Sequence, residues 1–393
     1  MTGYELALST LGGEPSVSIR LNPFKKTDSF PEGFSVPWCE FGRLLRSRPS
    51  FTLDPLFHAG AYYVQDSSAM FVGYLFRKFL PAVTAKTVRV LDLCAAPGGK
   101  TTDLATSLRL ARGDDFVLVS NEVMKQRARV LSDNVAVWGD PNVIVTSVDS
   151  SAFASFGSWF DVIVADVPCS GEGMFRKDAR AREEWSEDVV ELCRVRQRKI
   201  VAQAWPSLRE GGLLIYSTCT FEDGENDGNV EWIADTLGAE MFTAGGPAPF
   251  DGVRKTRTGY LLVPGEVPGE GQFVAILRKT SQAPPTSRFC RMESLKPLRC
   301  GVNRGVLKGK DFVPDPDYPL SLAFASEEYV SAEVSRATAL SYLHRDAITL
   351  PPGTSKGYIV IRYEGLPLGF VKNLGGRCNN LLPPGRRILM DVK

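Results

Sequence analysis

The chain has 393 residues, 44% of them hydrophobic and 23% charged, which is enough apolar mass for two or three domains with their own cores and excludes a disordered or fibrous protein. Its formal net charge is +1, so a polyanion would have to be held by local basic patches and not by a whole-protein field. No apolar run reaches the ~20 residues of a membrane helix, and the N-terminus lacks a signal-peptide pattern, so a soluble, cytoplasmic protein with no membrane contact is expected.

In chain order, residues 1–85 are rich in Pro, Phe and turn residues and are expected to form a small, separate α/β module. Residues 86–280 alternate short β-branched runs with amphipathic stretches, the succession of βαβ units on a mostly parallel sheet. Strands are predicted at 88–93, 116–120, 142–146, 160–165 and 212–217, with a closing antiparallel pair at 259–263 and 272–277. Helices are predicted at 101–110, 124–138, 184–208 and 226–237. The expected fold class is therefore α/β, a doubly wound, Rossmann-like domain with a mostly parallel seven-stranded sheet. A linker is expected at 280–287, within a connecting stretch 281–330 whose part 288–310 carries seven Lys or Arg against one acid, Glu293. A helix near 333–344 and strands at 357–363 and 367–371 predict a small α+β domain over 331–393.

Ligands of doubly wound sheets sit at the carboxyl ends of the strands, and the motifs gather there. The first strand runs through Asp92 into Cys94-Ala95-Ala96-Pro97-Gly98-Gly99-Lys100, a small-residue turn that opens a helix and lets backbone amides approach a ligand. A phosphate-binding P-loop would need glycine where Cys94 stands, and Pro97 would remove an amide from its cradle, so nucleotide hydrolysis is disfavoured. Glu122, Asp149 and Asp166 follow the next three strands. Each alone reads as a turn or helix cap, but with Asp92 they suggest a ligand bearing a diol and an amino or adenine group.

Cys169, in Asp166-Val167-Pro168-Cys169-Ser170-Gly171, ends the fourth strand, and Cys219, in Ser217-Thr218-Cys219-Thr220, ends the fifth. Sharing one sheet edge, these two thiols are the expected nucleophile chemistry, whereas Cys94 and Cys193 read as inert core. The eight cysteines form no C-x-x-C pair, and two histidines, His58 and His344, leave little weight on Ser-His-carboxylate catalysis or a histidine-rich metal site. Carbon 5 of cytosine is a poor nucleophile. Adding a thiolate to carbon 6 turns the ring into an enamine that can attack a sulfonium methyl, and Asp166 is placed to stabilise that adduct at ring nitrogen 3.

LDLCAAPGGKTT, NEVMKQRARVLSDNVAVWG, DVPCSGEGMFRKD and YSTCTFEDGEN resemble the Sun-type RNA (cytosine-5) methyltransferase family, in particular its bacterial 16S ribosomal RNA methyltransferase F branch. The later segments ALSYLHRDAITL and GYIVIRYEGLPLGFVKNLGGRCNNLLP resemble that branch's PUA-like RNA-binding domain. The resemblance implies S-adenosylmethionine as cofactor, held by Cys94 to Lys100, Glu122, Asp149 and Asp166. It implies Cys219 as nucleophile, Cys169 as the thiol assisting release, and Asp166 close to the target base. It further implies a monomer acting on RNA, with ribosomal RNA or the small ribosomal subunit as the partner class, without a metal. The chain departs from the branch in having Gln272-Phe273 after Gly269-Glu270-Gly271, and Pro264-Gly265 where Pro-His is usual.

Expected RNA contacts are Arg20 and Asn22, then Arg176, Lys177, Arg180 and Arg182 after the Pro-Cys loop, the 288–310 segment, and Lys372 and Arg377. Arg194, Arg196, Arg198 and Lys199 read as a solvated helix face. Rival readings are a transfer RNA cytosine-5 methyltransferase, a DNA or protein methyltransferase, and a catalytically silent RNA-binding scaffold; the two intact thiols argue against the last.

Overall fold

The computed structural model describes residues 2–27, 33–242, 247–281 and 292–392. The chain opens with α1 (Gly3–Ser9), whose N-terminus is closed by a reciprocal pair of hydrogen bonds between Thr2 and Glu5. β1 (Val17–Leu21), β2 (Gly33–Val36) and β3 (Cys39–Leu45) follow, then α2 (Pro55–Ala59), capped by the Asp54 side chain, and β4 (Tyr62–Val64). They form an antiparallel sheet ordered β2-β3-β1-β4.

α3 (Met70–Phe79) leaves this module and packs its buried face, Phe71, Leu75 and Phe76, into the core cluster of the central sheet. That sheet is built from β5 (Val88–Asp92), β6 (Phe116–Asn121), β7 (Val143–Thr146), β8 (Phe160–Asp166) and β9 (Leu208–Thr218), parallel in the order β7-β6-β5-β8-β9. The crossovers are α4 (Gly99–Arg112), α5 (Lys125–Trp138), a 3-10 segment Ser150–Phe156, and the pair α6 (Ala179–Glu183) and α7 (Glu187–Ala204). Both faces of the sheet are buried, and the pleat sorts the side chains. Val162, Val164, Leu213 and Ile215 join one core cluster, while Ile163, Ala165, Leu214 and Tyr216 join the other.

The helix predicted over 184–208 is shorter in the structure. The Ser186 side chain accepts from Val189 N and starts α7, and the chain leaves it at Trp205–Ser207, where Pro206 has no amide to donate, before β9 begins at Leu208. After α8 (Asp227–Leu237) come β10 (Ala239–Met241), β11 (Val253–Lys255), β12 (Tyr260–Leu262) and β13 (Gln272–Lys279), the last antiparallel to β9. All seven predicted strands occur, but the sheet has ten among the described residues. β10 and β11 extend one side, and β14 (Arg299–Cys300), from the connecting stretch, pairs with β7 at the far edge. Strands of two or three residues pair through backbone alone and carry no readable period.

Of the linker predicted at 280–287, residues 282–287 lie outside the described residues. The connecting stretch continues as the hairpin β15 (Gly305–Lys308) and β16 (Asp311–Pro314). β17 (Val330–Glu333), α9 (Arg336–His344), β18 (Gly357–Tyr363), β19 (Leu366–Asn373) and β20 (Cys378–Asn380) form the final small domain, with sheet order β17-β18-β19-β20. The first and last modules share one core: Ile19, Leu56 and Tyr62 pack with Leu340, Ile359, Ile361 and Leu366. No helix among the described residues is long and apolar enough to cross a membrane.

Candidate active site

The strand order reverses between β5 and β8, and the carboxyl ends of β5, β6, β8 and β9 open there as a crevice. At the end of β5, Asp92 is completely buried. One carboxylate oxygen accepts from Thr101 Oγ1 at 2.6 Å, and the other has no hydrogen-bond partner. Burial pushes its acid up to about 7, a shift opposed by the Thr101 bond and increased by Asp166 and Glu122. The turn that follows is held by Ala95 N donating to Asn121 O at 2.8 Å and by Arg127 and Asn134 donating to the carbonyls of Ala96 and Pro97, each at 2.8 Å. Gly98 has φ +115°, and a Cβ there would meet Leu131 at 3.1 Å, so glycine suits both the backbone and the space. Burial pushes the Cys94 thiol up, consistent with an inert, neutral group.

Glu122, at the end of β6, is buried; it accepts from Met124 N at 2.9 Å and pairs with Arg127 at 3.3 Å. Asp149 differs from the other strand-end acids. It is exposed, and its side chain accepts from the backbone and hydroxyl of Ser151 at 3.0 and 2.6 Å, which pulls its acid down. The structure brings Asp92, Glu122 and Asp166 into one electrostatic cluster, while Asp149 stands outside it and its side chain also caps the Ser150–Phe156 segment.

Asp166, at the end of β8, is fully engaged. Lys100 Nζ donates to it at 2.8 Å, Ser217 Oγ at 2.7 Å and Gln272 Nε2 at 3.2 Å. The Lys100 ammonium is buried, but the carboxylate holds it above the ordinary lysine value. Cys169 Sγ and Cys219 Sγ lie 3.2 Å apart beside this pair. The hydrogen bond from Cys219, then burial, push the Cys169 thiol well up, so it retains its proton. Gly173 N donates to Cys219 O at 2.8 Å, and a Cβ on Gly173 would fall 2.7 Å from that oxygen, so the Pro-Cys loop lies directly against the end of β9.

Three groups that hold this geometry are not evident from sequence. Glu225, wholly buried, accepts from Ser170 N at 3.2 Å, from Ser170 Oγ and from Gln197 Nε2, and Gln197 Nε2 also donates to Pro168 O at 3.0 Å. The residues on either side of Cys169 are thus clamped by one carboxylate and one amide. Burial pushes the Glu225 acid up to about 7. Gln272 joins Asp166 to Thr218 O, at 2.8 Å for the second contact, and ties β13 to the thiol-bearing strand end. The available signal was position: Glu225 lies six residues after Cys219 within the same motif.

Several expected RNA contacts face inward. Arg20 is fully buried: its Nε donates to Gln65 Oε1 at 2.8 Å and Nη2 to Gly99 O at 3.2 Å, with the guanidinium 4.6 Å from the Trp138 ring. Asn22 donates to Gly60 O and Trp138 O at 3.0 and 3.1 Å. Both tie the N-terminal module to the central domain, and neither is accessible to RNA. Arg176 is drawn into Glu270 at 2.7 Å with a mostly buried side chain. Arg180, Arg182 and Arg377 are exposed, Lys177 pairs with Asp66 at 2.9 Å, and Lys372 lies 5.2 Å from the Tyr358 ring. In the basic stretch, Arg288 and Arg291 lie outside the described residues, Arg299 pairs with Asp317 and Arg304 with Glu328, while Lys296, Lys308 and Lys310 are exposed.

The residues present fit S-adenosylmethionine. A buried, unpartnered Asp92 oxygen faces the need of an amino group, buried Glu122 ends the strand next to it, and the Gly98 turn leaves backbone open to a small ligand. No group of three His, Cys, Asp or Glu arranged for a metal occurs among the described residues.

A family profile described as 16S rRNA methyltransferase RsmB/F matches residues 82–278. Profiles described as the N-terminal domain of 16S rRNA methyltransferase RsmF and as the methyltransferase RsmF PUA domain match residues 3–67 and 329–388. A Shewanella baltica protein named ribosomal RNA small subunit methyltransferase F is 29% identical over 437 residues, covering 93% of this chain and 89% of its own. A protein of the same name from Pectobacterium carotovorum is 36% identical over 291 residues, covering 69% and 58%. Among solved structures, a methyltransferase homolog from Pyrococcus horikoshii matches with a TM-score of 0.57 at 26% identity, over 70% of this chain and 90% of that one. The match over 82–278 takes in the cofactor turn, Asp166 and both thiols, and the chain belongs to the 16S rRNA methyltransferase RsmB/F family of RNA methyltransferases.

Proposed function

We propose that this protein transfers a methyl group from S-adenosylmethionine to carbon 5 of a cytosine in 16S ribosomal RNA, in the cytoplasm, through a covalent bond between Cys219 and carbon 6. The observation that carries the reading is the pair of sulfurs 3.2 Å apart at adjacent strand ends, next to Asp166 and Lys100. The turn from Cys94 to Lys100, with Asp92, Glu122, Asp149 and Asp166, would hold the cofactor, Asp149 from the exposed end of the neighbouring strand. Bound there, S-adenosylmethionine supplies an electrophilic methyl group.

Every other task falls to side chains of the chain itself. Contact with Cys219 and burial push the Cys169 thiol up and make it the poorer source of thiolate, and Cys219 stands in the Thr-Cys motif where the family resemblance places the nucleophile. Cys219 is then the attacking sulfur, adding to carbon 6 and making carbon 5 electron-rich. As negative charge develops at ring nitrogen 3, the Lys100 ammonium held by Asp166 donates to that nitrogen, while Asp166, already receiving from Lys100, Ser217 and Gln272, accepts from the exocyclic amino group of the ring. Cys169, beside the attacking sulfur, must first give its own proton to solvent; as the thiolate it then takes the proton left on carbon 5, the electrons of that C–H bond restore the ring double bond, and the carbon–sulfur bond breaks with its electron pair leaving on Cys219, which frees the product. Its pushed-up value makes its anion a strong base for that step. The base reaches the cleft only from an unpaired or extruded nucleotide. The N-terminal module, the exposed Arg180 and Arg182, and the C-terminal domain hold the surrounding RNA.

Incubation of variants with S-adenosylmethionine and 16S ribosomal RNA, followed by denaturing electrophoresis, tests the assignment. Cys169→Ala is expected to accumulate a denaturation-resistant protein–RNA adduct and Cys219→Ala to form none. An adduct in the Cys219 variant would reverse the two roles. Bisulfite sequencing of the RNA locates the modified cytosine.

A further inference from the structure

A groove of about 650 Å³ runs between the N-terminal module and the loop that follows Cys169. Its size is that of a ligand site, roughly 300–1,000 Å³. One wall is the end of β3 and the residues after it, carrying Arg46 and Arg48; the other carries Arg176 and Lys177. Four cations thus face a single acid, Glu14, in a protein whose net charge is only +1.

The four cations are not equivalent. Arg176 is committed to Glu270 and Lys177 to Asp66, so they fix the wall more than they offer charge. Arg46 and Arg48 are exposed, and among the described residues neither has an ion-pair partner. Each lies over an aromatic ring instead, Arg46 5.3 Å from Phe34 and Arg48 5.5 Å from Phe51. Phe34 is itself 59% exposed, an apolar ring left in water beside a guanidinium that has no ion pair among the described residues. Such a pair suits nucleic acid in single-stranded form, which offers phosphates to the cation and a base face to the ring.

The groove also lies close to the chemistry. Arg176 is three residues from Gly173, whose amide donates to the carbonyl of Cys219, and three residues span at most about 10 Å. A strand that leaves a base at the thiols therefore has this wall as its immediate neighbour.

We propose that the groove holds the sugar–phosphate backbone of the single-stranded RNA flanking the target nucleotide, with Arg46 and Arg48 on its phosphates and Phe34 stacked on a base. The inference rests on the reading of the chain as an RNA cytosine methyltransferase. It adds Phe34, Arg46 and Arg48, which the contacts expected from sequence did not include, to a wall that already carries Arg176 and Lys177.

The test uses the full chain and a short cytidine-rich RNA, single-stranded or annealed to its complement, with binding measured across a potassium chloride series. Arg46→Gln/Arg48→Gln is expected to weaken single-strand binding on the order of tenfold and to reduce the slope of log affinity against log salt by about 1.4, the contribution of two phosphates at ~0.7 each. Phe34→Ala is expected to weaken it about tenfold without changing that slope. The KM for 16S ribosomal RNA rises in parallel, while S-adenosylmethionine affinity by calorimetry and the melting temperature report that each variant is folded. Unchanged affinity and slope in the double variant, or equal losses on the duplex, would overturn the groove assignment while RNA methylation by the wild type stands. A wild type that transfers no methyl group to RNA removes the reading beneath the proposal, and the proposal with it.

Discussion

Replacing Asp92 with asparagine separates what the cofactor crevice costs from what it does. Asp92 is completely buried, and its acid is displaced from 3.8 to about 7, chiefly by burial. At 1.36 kcal/mol per pKa unit, that displacement amounts to roughly 4 kcal/mol. The folded state binds the proton more tightly than the unfolded chain does. The associated stability is therefore fully present below pH 3.8, is lost as pH rises, and is gone above about pH 7. Asparagine carries no charge at any of these values and keeps an oxygen for Thr101 Oγ1, so Asp92→Asn escapes the loss.

The stability difference, variant minus wild type, should then increase between pH 5 and pH 7 by roughly 3 kcal/mol, two pKa units at the same rate, and level off beyond. Urea unfolding at several pH values measures it, and the comparison cancels other titrating groups such as Glu225, common to both proteins. S-adenosylmethionine affinity should fall at least tenfold in the variant, because the unpartnered Asp92 oxygen is the charge offered to the amino group. A difference that does not vary with pH would refute the burial argument. Equal cofactor affinity would refute the placing of the amino group.

Glu225→Gln presents an amide N–H where Gln197 Nε2 already donates, loosening the clamp around Cys169. The turnover rate should fall ten- to a hundredfold with little change in KM for RNA. The wild-type acid at about 7 loses the ability to accept three hydrogen bonds as it protonates, so the rate should decline below that pH, and the variant's profile should be flatter there; identical profiles would remove Glu225 from any positioning role. Arg20→Leu strands Gln65 Oε1 and Gly99 O inside the protein and should cost about 1–3 kcal/mol in urea unfolding, with the salt slope of RNA binding unchanged. A reduced slope would restore Arg20 to the RNA surface. The cysteine pair and the Arg46/Arg48 groove supply the other two tests.

The sequence by itself determined the succession of strands and helices in the central domain, because Val, Ile and Leu runs buried on both faces differ in length and period from amphipathic helices. It also determined that Asp92, Glu122, Asp166, Cys169 and Cys219 stand at or just past strand ends, since each lies within four residues of the end of an apolar run. Which of them meet depended on strand order. β8 lies between β5 and β9, so Cys169 and Cys219 come within 3.2 Å, while Asp149, at the end of outlying β7, turns into a cap. A charged residue's sequence neighbours do not say whether it faces water. Arg20 lies in a strand whose other residues look no different, yet the central domain closes over it; Arg176 meets Glu270, 94 positions away, and Arg46 meets no acid among the described residues. Partner choice for long, flexible cations is made by packing across elements far apart in the chain, as is the clamp of Glu225 and Gln197 on the Cys169 loop, and no local pattern encodes it.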